Sequence, residues 1–371
     1  MKDFHYSAAV DQFEKKIYSV LKKYPAETVL LAAVSGGADS TAMLTALSHL
    51  LSPNTQLTLN FQLFVLHVDH GIRTAEECRN DSKFVRAFCK KNKINFRIKH
   101  FRQGRIAGFA KRKGIGIEAA ARIFRYKALR AEAAQLKQCA RLSEIICNEN
   151  ILILTAHTKD DLLETTLMRV LRGCGPAGLA AMPAEKREQK IVIVRPLLGM
   201  TRADVIEYLQ ANNISWIEDI SNTDEKYLRN RIRGKLVPLL DEAFPFWRSG
   251  AAAMAQTQST AAEFIADEAK KRIVWEINNE DFLFTDAVNF FSQPEIIREE
   301  AVFLGIDELL KKSANYRSVK RAVVRKFCAQ TGASAVTAAD FGAVRVKYEG
   351  EKILLSRKRK EFFECGISVK R

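Results

Sequence analysis

The sequence predicts an α/β protein in which an open parallel five-stranded sheet with flanking helices precedes a helical domain and a short β-rich C-terminal segment. Five strand-length runs, four of them apolar and one alternating, are separated by stretches of helical spacing in residues 1–217. The pattern then becomes mostly helical, and strict alternation of apolar and polar residues returns near Phe341. We therefore expect three parts, at residues 1–217, 218–335 and 336–371.

The strands of the sheet follow from these five runs, of which Ile94–Phe101 is the alternating one. They are predicted at Val29–Val34, Leu63–His70, Ile94–Phe101, Ile151–Leu154 and Ile191–Val194. Right-handed crossovers through the intervening helices are expected to make them parallel. The basic, glycine-rich stretch 102–116 is predicted as a loop, and a turn at Glu349–Glu351 between two alternating runs predicts a C-terminal hairpin.

The charge of the chain favours an anionic partner. The sequence has 59 Lys and Arg against 43 Asp and Glu, a formal net charge of +16. Such an excess indicates an extended polyanion, and nucleic acid rather than a membrane, because no apolar run approaches the roughly 20 residues that span a bilayer. Met1–Lys16 is too polar and too acidic for a signal peptide, so we expect a cytoplasmic protein. The sequence leaves the oligomeric state open, with a homodimer among the alternatives.

The cysteines carry no evident chemistry. All seven are scattered, and none forms a Cys-x-x-Cys pair. We therefore expect reduced thiols and neither structural zinc nor an iron–sulfur cluster.

The first predicted strand leads into a loop that is suited to bind phosphate. It reads Ser35-Gly36-Gly37-Ala38-Asp39-Ser40, and helical spacing starts at Thr41. Small residues let backbone N–H groups approach an anion, and the start of a helix stabilises phosphate. Asp39 adds a carboxylate for a magnesium ion bound by that phosphate. The loop has neither the Gly-Lys-Ser/Thr ending of a Walker P-loop nor the three spaced glycines of a dinucleotide fingerprint.

Polar residues end the second predicted strand, and open α/β sheets bind ligands beyond the carboxyl ends of their strands. His67, Asp69, His70 and Arg73 are therefore expected near the nucleotide. A histidine at the end of a strand is equally well explained as a hydrogen-bonded structural group, so both readings stay open.

The fourth predicted strand leads into an acidic helix. Asp161 and Glu164 lie three residues apart on one face at its N-terminal end, with Asp160 beside them. An amine-bearing substrate needs such a carboxylate pair. Carboxylates also suit the first turn of any helix, and Thr158 with Asp161 has the spacing of a capping box. The two roles can coexist.

Arginines are concentrated in two places. Arg122 and Arg125 share a helical face with Glu118, which by itself indicates a surface ion pair. Three more arginines within five residues suit contacts with RNA phosphates, or else form a solvated helix face: Arg229, Arg231 and Arg233.

Together these motifs resemble one family. The loop at Ser35–Ser40 matches the Ser-Gly-Gly-x-Asp-Ser loop of the ATP pyrophosphatases, enzymes that split ATP between its α- and β-phosphates and adenylate a substrate. The order of all the motifs resembles the bacterial tRNA(Ile)-lysidine synthetase family closely over residues 25–240, and beyond that only in general plan. The motifs that follow the loop are His67-Val68-Asp69-His70-Gly71-Ile72-Arg73, Glu118 with Arg122 and Arg125, Ala156–Thr165, Arg172-Gly173, Arg195-Pro196-Leu197-Leu198 and Trp216–Arg233.

The resemblance implies a PP-loop, adenine nucleotide α-hydrolase-like fold in residues 1–217 and a helical tRNA-binding domain after it. It implies ATP-dependent ligation of free L-lysine to C2 of the wobble cytidine in the CAU anticodon of tRNA(Ile). ATP and Mg²⁺ would be the cofactors, and the cytidine would be adenylated before lysine displaces AMP. The product, lysidine, changes the codon specificity from AUG to AUA.

The resemblance also implies roles for residues. It assigns ATP binding to the Ser35–Ser40 loop with His67 and Asp69, and metal binding to Asp39. Lysine binding is assigned to Asp161 and Glu164, with Asp160 as a further candidate. The residues assigned to contacts with the nucleotide or the RNA are Arg122, Arg125, Arg172, Arg195, Arg229, Arg231 and Arg233. The catalytic residues would be Asp39, Arg122, Asp161 and Glu164.

Three other functions compete with this one. A tRNA thiolase with the same loop is the nearest, but those relatives use paired cysteines, which this chain lacks. An amide-forming ATP pyrophosphatase acting on a small metabolite would leave the net charge of +16 without a purpose. A non-catalytic RNA-binding protein would leave Asp39, Asp161 and Glu164 without a chemical task.

Overall fold

The computed structural model describes residues 8–53, 57, 59–142, 150–180, 182–188, 191–218, 228–279, 282–310, 319, 321–329, 338–341 and 343–357. The chain divides into two compact units. The first unit contains residues 1–171 and 181–252, and the second contains residues 172–180 and 253–371. The domain boundaries expected at 217/218 and 335/336 stay predictions.

Six strands form the sheet of the first unit, in the order β3-β2-β1-β4-β6-β5. Their bounds are β1 Val29–Ala33, β2 Gln62–Asp69, β3 Asn95–His100, β4 Ile151–Thr155, β5 Glu185–Glu188 and β6 Ile191–Val194. The five predicted strands are all present and parallel, which confirms the predicted fold class. The sixth, β5, pairs antiparallel with β6 at the edge of the sheet. Its sequence, Glu-Lys-Arg-Glu, has no apolar residue from which a strand could be predicted.

Helices cover both faces of this sheet. The helices of the chain as far as Arg272 are α1 Ala8–Leu21, α2 Ala38–Leu50, α3 Ala75–Lys91, α4 Arg105–Lys113, α5 Ile117–Leu142, α6 Lys159–Arg172, α7 Pro176–Leu179, α8 Arg202–Ala211, α9 Leu228–Arg231, a π-helical turn at Ile232–Leu236, α10 Val237–Ala243 and α11 Trp247–Arg272. Of these, α7 and the part of α11 after Ala252 belong to the second unit. Alternate residues of β1 point to opposite faces: Leu30 lies in the core with α1, α2 and α8, whereas Leu31 lies in the core with α5. No helix in the described ranges is long and apolar enough to cross a membrane.

The stretch 102–116 was predicted as a loop, and this prediction is wrong. It contains α4, which begins after Gly104 and ends at Gly114, both with positive φ. Ile106 and Ala110 lie one helical turn apart and are buried against α5. The glycines therefore mark the two ends of a helix, and the short apolar stripe between them decides the structure.

The second unit contains a five-stranded antiparallel sheet in the order β7-β8-β11-β10-β9. Its strands are β7 Glu276–Asn279, β8 Phe282–Asp286, β9 Ala338–Phe341, β10 Val344–Glu349 and β11 Lys352–Arg357, and its helices are α12 Ala287–Ser292, α13 Glu295–Leu310 and α14 Arg321–Cys328. The hairpin of β10 and β11 confirms the C-terminal prediction. β7 and β8 were not predicted, since they lie inside a region of helical pattern and are only four and five residues long.

One buried polar group links three helices of the first unit. Glu14 of α1 is 4% exposed, and its Oε1 accepts the hydroxyl of Tyr208 on α8 at 2.8 Å. The Nδ1 of His49, on α2, lies 2.7 Å from the same oxygen. A buried carboxylate is tolerated only where it has such partners.

We expect Tyr208→Phe to lower the free energy of unfolding by about 1–3 kcal/mol, because it removes a donor from a buried carboxylate. Urea denaturation measures this difference. Tyr18→Phe is the matched control, since the half-buried Tyr18 packs against the same core and has no hydroxyl hydrogen bond in the described structure. Equal effects of the two substitutions would contradict the role assigned to the Tyr208 hydroxyl.

Candidate functional site at the carboxyl edge of the sheet

The phosphate loop is held in shape by its own side chains. The Oγ of Ser40 accepts the backbone N–H groups of Ser35 and Gly36, both at 3.2 Å, and donates to the carbonyl of Gly37 at 3.0 Å. Gly36 has a φ of +96°, and a Cβ there would lie 2.6 Å from the Cδ1 of Ile217. The loop therefore requires glycine at this position. Gly37 is the N-cap of α2 without a side-chain cap, which leaves the first N–H groups of that helix to face an anion.

Asp39, in the first turn of α2, has one oxygen with a partner and one without. Its Oδ2 accepts from the Nη1 of Arg202 at 2.7 Å. Its Oδ1 is buried and accepts no hydrogen bond from the part of the chain that the structure describes. Burial raises the pKa of Asp39, and the cation of Arg202 opposes that rise. A buried carboxylate oxygen without a partner beside a phosphate loop suits a magnesium ion, which takes oxygen ligands and phosphate together.

The polar residues at the end of β2 separate into two groups. The Nδ1 of His67 lies 2.9 Å from the carbonyl of Val34, next to the phosphate loop, so it donates and the tautomer is fixed. The Oδ2 of Asp69 lies 2.9 Å from the Nδ1 of His100, at the end of the neighbouring strand β3. Burial lowers the pKa of His67, which keeps the ring neutral. Of the two residues predicted to bind ATP, His67 therefore contacts Val34, the residue before the loop, whereas Asp69 contacts the neighbouring strand.

The acidic start of α6 lies at the end of β4, which is paired in register with β1. Asp161 completes the predicted capping box: its Oδ2 accepts the N–H of Thr158 at 2.9 Å, and its own N–H donates to the Oγ1 of Thr158 at 3.4 Å. Asp160 accepts the backbone N–H of Arg202 at 2.7 Å and the Nη1 of Arg248 at 2.7 Å. Capping is thus a real role for Asp161, and its Oδ1 lies outside the cap.

Two of the arginines predicted to bind RNA are paired instead with these carboxylates. Arg229 donates from Nη2 to Asp161 Oδ1 at 2.7 Å and from Nε to Glu164 Oε2 at 2.8 Å. Arg233 donates from Nε to Glu164 Oε1 at 2.6 Å and from Nη2 to Oε2 at 3.1 Å. Arg231, between them, is exposed and makes no ion pair with an acidic residue in the described ranges. The structure therefore divides the three arginines by partner: Arg229 and Arg233 are paired with carboxylates, although Arg233 is itself exposed, and Arg231 is exposed without such a partner in the described ranges.

The remaining predicted arginines differ in environment. Arg122 is exposed, and its guanidinium lies 5.0 Å from the ring centroid of Tyr126. Burial and the nearby cation of Arg122 lower the pKa of Arg125. Arg195 is 4% exposed and donates from Nη1 to the carbonyl of Pro183 at 2.6 Å. Arg172 ends α6 and is exposed. Ligand contacts of these four residues stay predictions.

Sequence reasoning assigned no role to three residues of this edge. Arg202 and Arg248 pair with Asp39 and Asp160, and His157 lies close enough to Asp161 and Arg122 for their charges to shift its pKa. Arg202 follows the N-cap Thr201, a pattern that gives no indication of a partner on α2. Arg248 lies 88 residues from Asp160 in sequence, and no local pattern signals that contact.

Comparisons with known proteins identify relatives of this chain. A profile described as a PP-loop domain matches residues 9–240. The tRNA(Ile)-lysidine synthase of Treponema denticola is 34% identical over 289 residues, which cover 76% of this chain and 54% of the relative. That of Petrotoga mobilis is 32% identical over 292 residues, which cover 78% of this chain and 85% of the relative. That of Treponema pallidum is 39% identical over 223 residues, 60% of this chain and 42% of the relative. The chain thus spans about half the length of the Treponema relatives.

A solved structure shows the same fold. The U34-tRNA thiolase NcsA from Methanococcus maripaludis matches with a TM-score of 0.52 and 16% identity, over 68% of this chain and 80% of its own. At this identity the likeness concerns the fold alone.

The pairing of Arg229 predicts that alanine substitution at Arg229 and at Arg231 changes the free energy of unfolding by different amounts. Arg229→Ala leaves buried Glu164 and the Oδ1 of Asp161 short of a donor, so we expect the free energy of unfolding to fall by about 1–3 kcal/mol. Arg231→Ala removes the same side chain from an exposed position and should change it by no more than about 0.5 kcal/mol. Urea denaturation of the two variants decides this. A loss in Arg231→Ala as large as that in Arg229→Ala would contradict the pairing.

Two half-buried histidines predict a pH dependence of stability. Burial lowers the pKa of His70 to about 4 and that of His157 to about 3, from 6.5 in the unfolded chain. The unfolded chain therefore binds more protons below pH 6.5, and stability is lost as the pH falls from there toward 4. Each histidine adds about 1.4 kcal/mol per pH unit to the slope within that window.

Urea unfolding at about pH 7 and about pH 5 measures this slope. In His157→Gln the loss of stability between the two pH values should be smaller than in wild type, by about the contribution of one titrating histidine. His100→Gln replaces an exposed ring and is the control. The same slope in wild type and His157→Gln would contradict a neutral, half-buried His157.

Proposed function

We propose a function on one premise: the chain belongs to the PP-loop family of tRNA(Ile)-lysidine synthases. Membership implies the use of ATP. We propose that the chain adenylates C2 of the wobble cytidine in the CAU anticodon of tRNA(Ile) and then ligates free L-lysine to that carbon. The products are lysidine, AMP and pyrophosphate, and Mg²⁺ accompanies ATP.

The observation that carries this proposal is the position of two different sites at one edge of the sheet. The phosphate loop follows β1 and the acidic helix start follows β4, and these strands are adjacent, with Ala33 opposite Thr155. Asp39 and Asp161 are close enough that the charge of Asp161 raises the pKa of Asp39. A nucleotide phosphate and a cationic amine would therefore be held side by side, which the attack of lysine on an adenylated base requires.

In the first step the C2 oxygen of cytidine attacks the α-phosphorus of ATP, and pyrophosphate leaves. The N–H groups at the start of α2 stabilise the phosphates, and Asp39 is the residue that would hold the magnesium ion through its Oδ1. Bound magnesium supplies positive charge against the leaving pyrophosphate. Arg122, Arg125 and Arg195 are the cations proposed to contact the nucleotide or RNA phosphates.

In the second step the amine of lysine attacks C2, AMP leaves and the amine loses a proton. Asp161 and Glu164 would balance the ammonium charge before the attack. Each carboxylate has about four lone-pair positions, and the described contacts fill three on each. Lysine would therefore bind the remaining positions, or displace a guanidinium of Arg229 or Arg233, with Asp160 as a further acceptor.

The RNA contact is proposed for the exposed Arg231, and only secondarily for Arg229 and Arg233, which are paired with carboxylates. The target is a base in a single-stranded loop, which can turn out into a site without breaking a duplex. The net charge of +16 fits a polyanionic substrate.

The proposal is tested by incubating the chain with ATP, labelled lysine and tRNA(Ile), and by analysing the nucleosides. Label should appear in lysidine only when ATP and magnesium are both present. The tRNA(Met) species, which shares the CAU anticodon, is the control substrate. A thiolated nucleoside in the presence of a sulfur donor, or ATP turnover that needs no RNA, would refute this function in favour of a thiolase or a metabolite ligase.

Two carboxylate variants should separate the half-reactions. Asp39→Asn should prevent formation of the adenylated RNA, since the metal loses its carboxylate. Glu164→Gln should still form it, but conversion by lysine should slow by about 10²-fold or more, the scale of a lost positioning or acid–base group. Rapid-quench analysis of labelled RNA separates the two steps.

The control for these variants is Glu207→Gln, an exposed carboxylate on α8. Higher lysine concentration should restore part of the rate of Glu164→Gln if Glu164 binds the ammonium, and little if it accepts a proton. An unaltered dependence on lysine would remove Glu164 from the amino-acid site.

A further inference from the structure

A cavity of about 480 Å³ lies beside the candidate site, between the carboxyl ends of β2 and β3 and the helix α3. No residue of the Ser35–Ser40 loop and none of α6 lines it. Of the residues that the sequence placed near the nucleotide, Asp69 and Arg73 belong to its wall. The cavity is therefore a separate space at the same edge of the sheet.

One side of the cavity is a row of cations on α3. Arg79, Lys83 and Arg86 are spaced four and three residues apart, so they share one helical face and extend over about 10 Å. All three are exposed, and none has an acidic partner in the described structure. The guanidinium of Arg86 lies 5.3 Å from the ring centroid of Phe96, which orients it.

The acidic residue in the wall does not cancel this charge. Asp69 is bound by the Nδ1 of His100 and by the N–H of Gly71, each at 2.9 Å. Burial raises the pKa of Asp69, but these hydrogen bonds outweigh burial and lower it, so the carboxylate is ionised and already has donors. A further cation, Arg73, is fixed by an ion pair with the buried Asp81.

The apolar side of the cavity is formed by Ile98 and Phe101, beside the polar His100 and Gln103. The ring of Phe101 has an edge contact with Phe124, with centroids 5.0 Å apart, and the guanidinium of Arg105 lies 5.9 Å from the centroid of Phe101. An aromatic face beside a row of cations is the combination with which proteins bind single-stranded nucleic acid: the base stacks, and the cations follow the backbone.

We propose that this cavity binds one unpaired nucleotide of the RNA substrate, next to the nucleotide that is modified. Its base lies against Phe101 and Ile98, and its flanking phosphates contact Arg79, Lys83 and Arg86. This inference rests on the proposed function for the identity of the RNA.

The geometry favours a nucleotide within a strand over a free nucleotide or a small anion. A single phosphate occupies one or two cations, whereas the row on α3 is about 10 Å long and suits successive phosphates. β2, whose end forms the cavity, is adjacent to β1, whose end carries the phosphate loop. Strands lie about 4.8 Å apart, so an RNA loop with its target base at the phosphate loop places a neighbouring nucleotide over the cavity.

The cationic side is tested with the double variant Arg79→Ala/Lys83→Ala, by measuring the affinity for an anticodon stem-loop RNA over a range of salt concentrations. Two lost contacts should reduce the slope of log affinity against log salt by about 1.4, at about 0.7 for each single-strand phosphate. Lys90→Ala/Lys91→Ala removes the same charge from the last turn of the same helix, outside the cavity, and is the control. An equal reduction in both variants would show a general charge effect and overturn the proposal.

The apolar side is tested with a double-mutant cycle. An RNA that lacks the base on one side of the target cytidine should bind wild type about 5- to 150-fold more weakly, the range for one stacked base. In Phe101→Leu, which keeps an apolar contact with Phe124 but removes the ring, the penalty for the missing base should largely disappear. The proposal is wrong if no abasic position loses affinity for wild type, or if the full penalty persists in Phe101→Leu.

Two further measurements distinguish the outcomes. Lysidine formation by wild type at saturating RNA tests the proposed function alone: if it is absent while the cavity variants still weaken RNA binding, the function fails and the cavity site stands. If AMP competes with the RNA, and Arg79→Ala/Lys83→Ala abolishes this competition, the cavity is a site for free nucleotides and the assignment to RNA is overturned.

Discussion

A buried negative charge on α6 determines how the candidate site is built. The side chain of Glu164 is only 4% exposed, and an isolated carboxylate in that position would lose its solvation without compensation. Arg229 and Arg233 supply three hydrogen bonds to it, and Arg229 also reaches Asp161. Residues 228–236 must therefore lie against α6, and this contact also fixes where the exposed Arg231 meets solvent.

The same principle extends along the edge of the sheet. Asp39 is paired with Arg202, and Asp160 with Arg248, so each candidate carboxylate has a guanidinium partner before any ligand is considered. The donors that would bind a phosphate have no such partner, because the N–H groups at the start of α2 have no side-chain cap. An anionic ligand therefore finds N–H donors that have no side-chain cap, whereas a cationic ligand must compete with arginine for its carboxylate acceptors.

Most of the sheet was predictable from the sequence, because its central strands are buried on both faces and are therefore continuous apolar runs, as in Val29–Ala33 and Ile151–Thr155. Four elements were not predicted, for physical reasons. The edge strand β5 is polar, α4 has only a narrow apolar stripe between glycines, and β7 and β8 are short strands, of which β8 pairs with residues about 70 positions later. Local patterns carry no information on such distant pairing.

The candidate site was predictable residue by residue, but not as a set of contacts. The phosphate loop and the capping box are local, and the structure contains both. The ion pairs of Glu164 join residues 65 and 69 positions apart, so the sequence could assign the carboxylates and the arginines to two different ligands without revealing that they bind each other. Charge composition gives the number of such groups and leaves their partners undetermined.

The π-helical turn at Ile232–Leu236 has a consequence for how this region can change. A π-helical turn holds one residue more than the α-helical turn it replaces. It therefore determines toward which side of the helix axis the side chains after the turn point. Arg229 precedes the turn and Arg233 lies inside it, yet both donate to the carboxylate of Glu164. Loss of a single residue there would rotate the downstream side chains by about 100° and direct them to another face of the helix. This segment therefore accommodates an exchange of side chains far more readily than an insertion or a deletion.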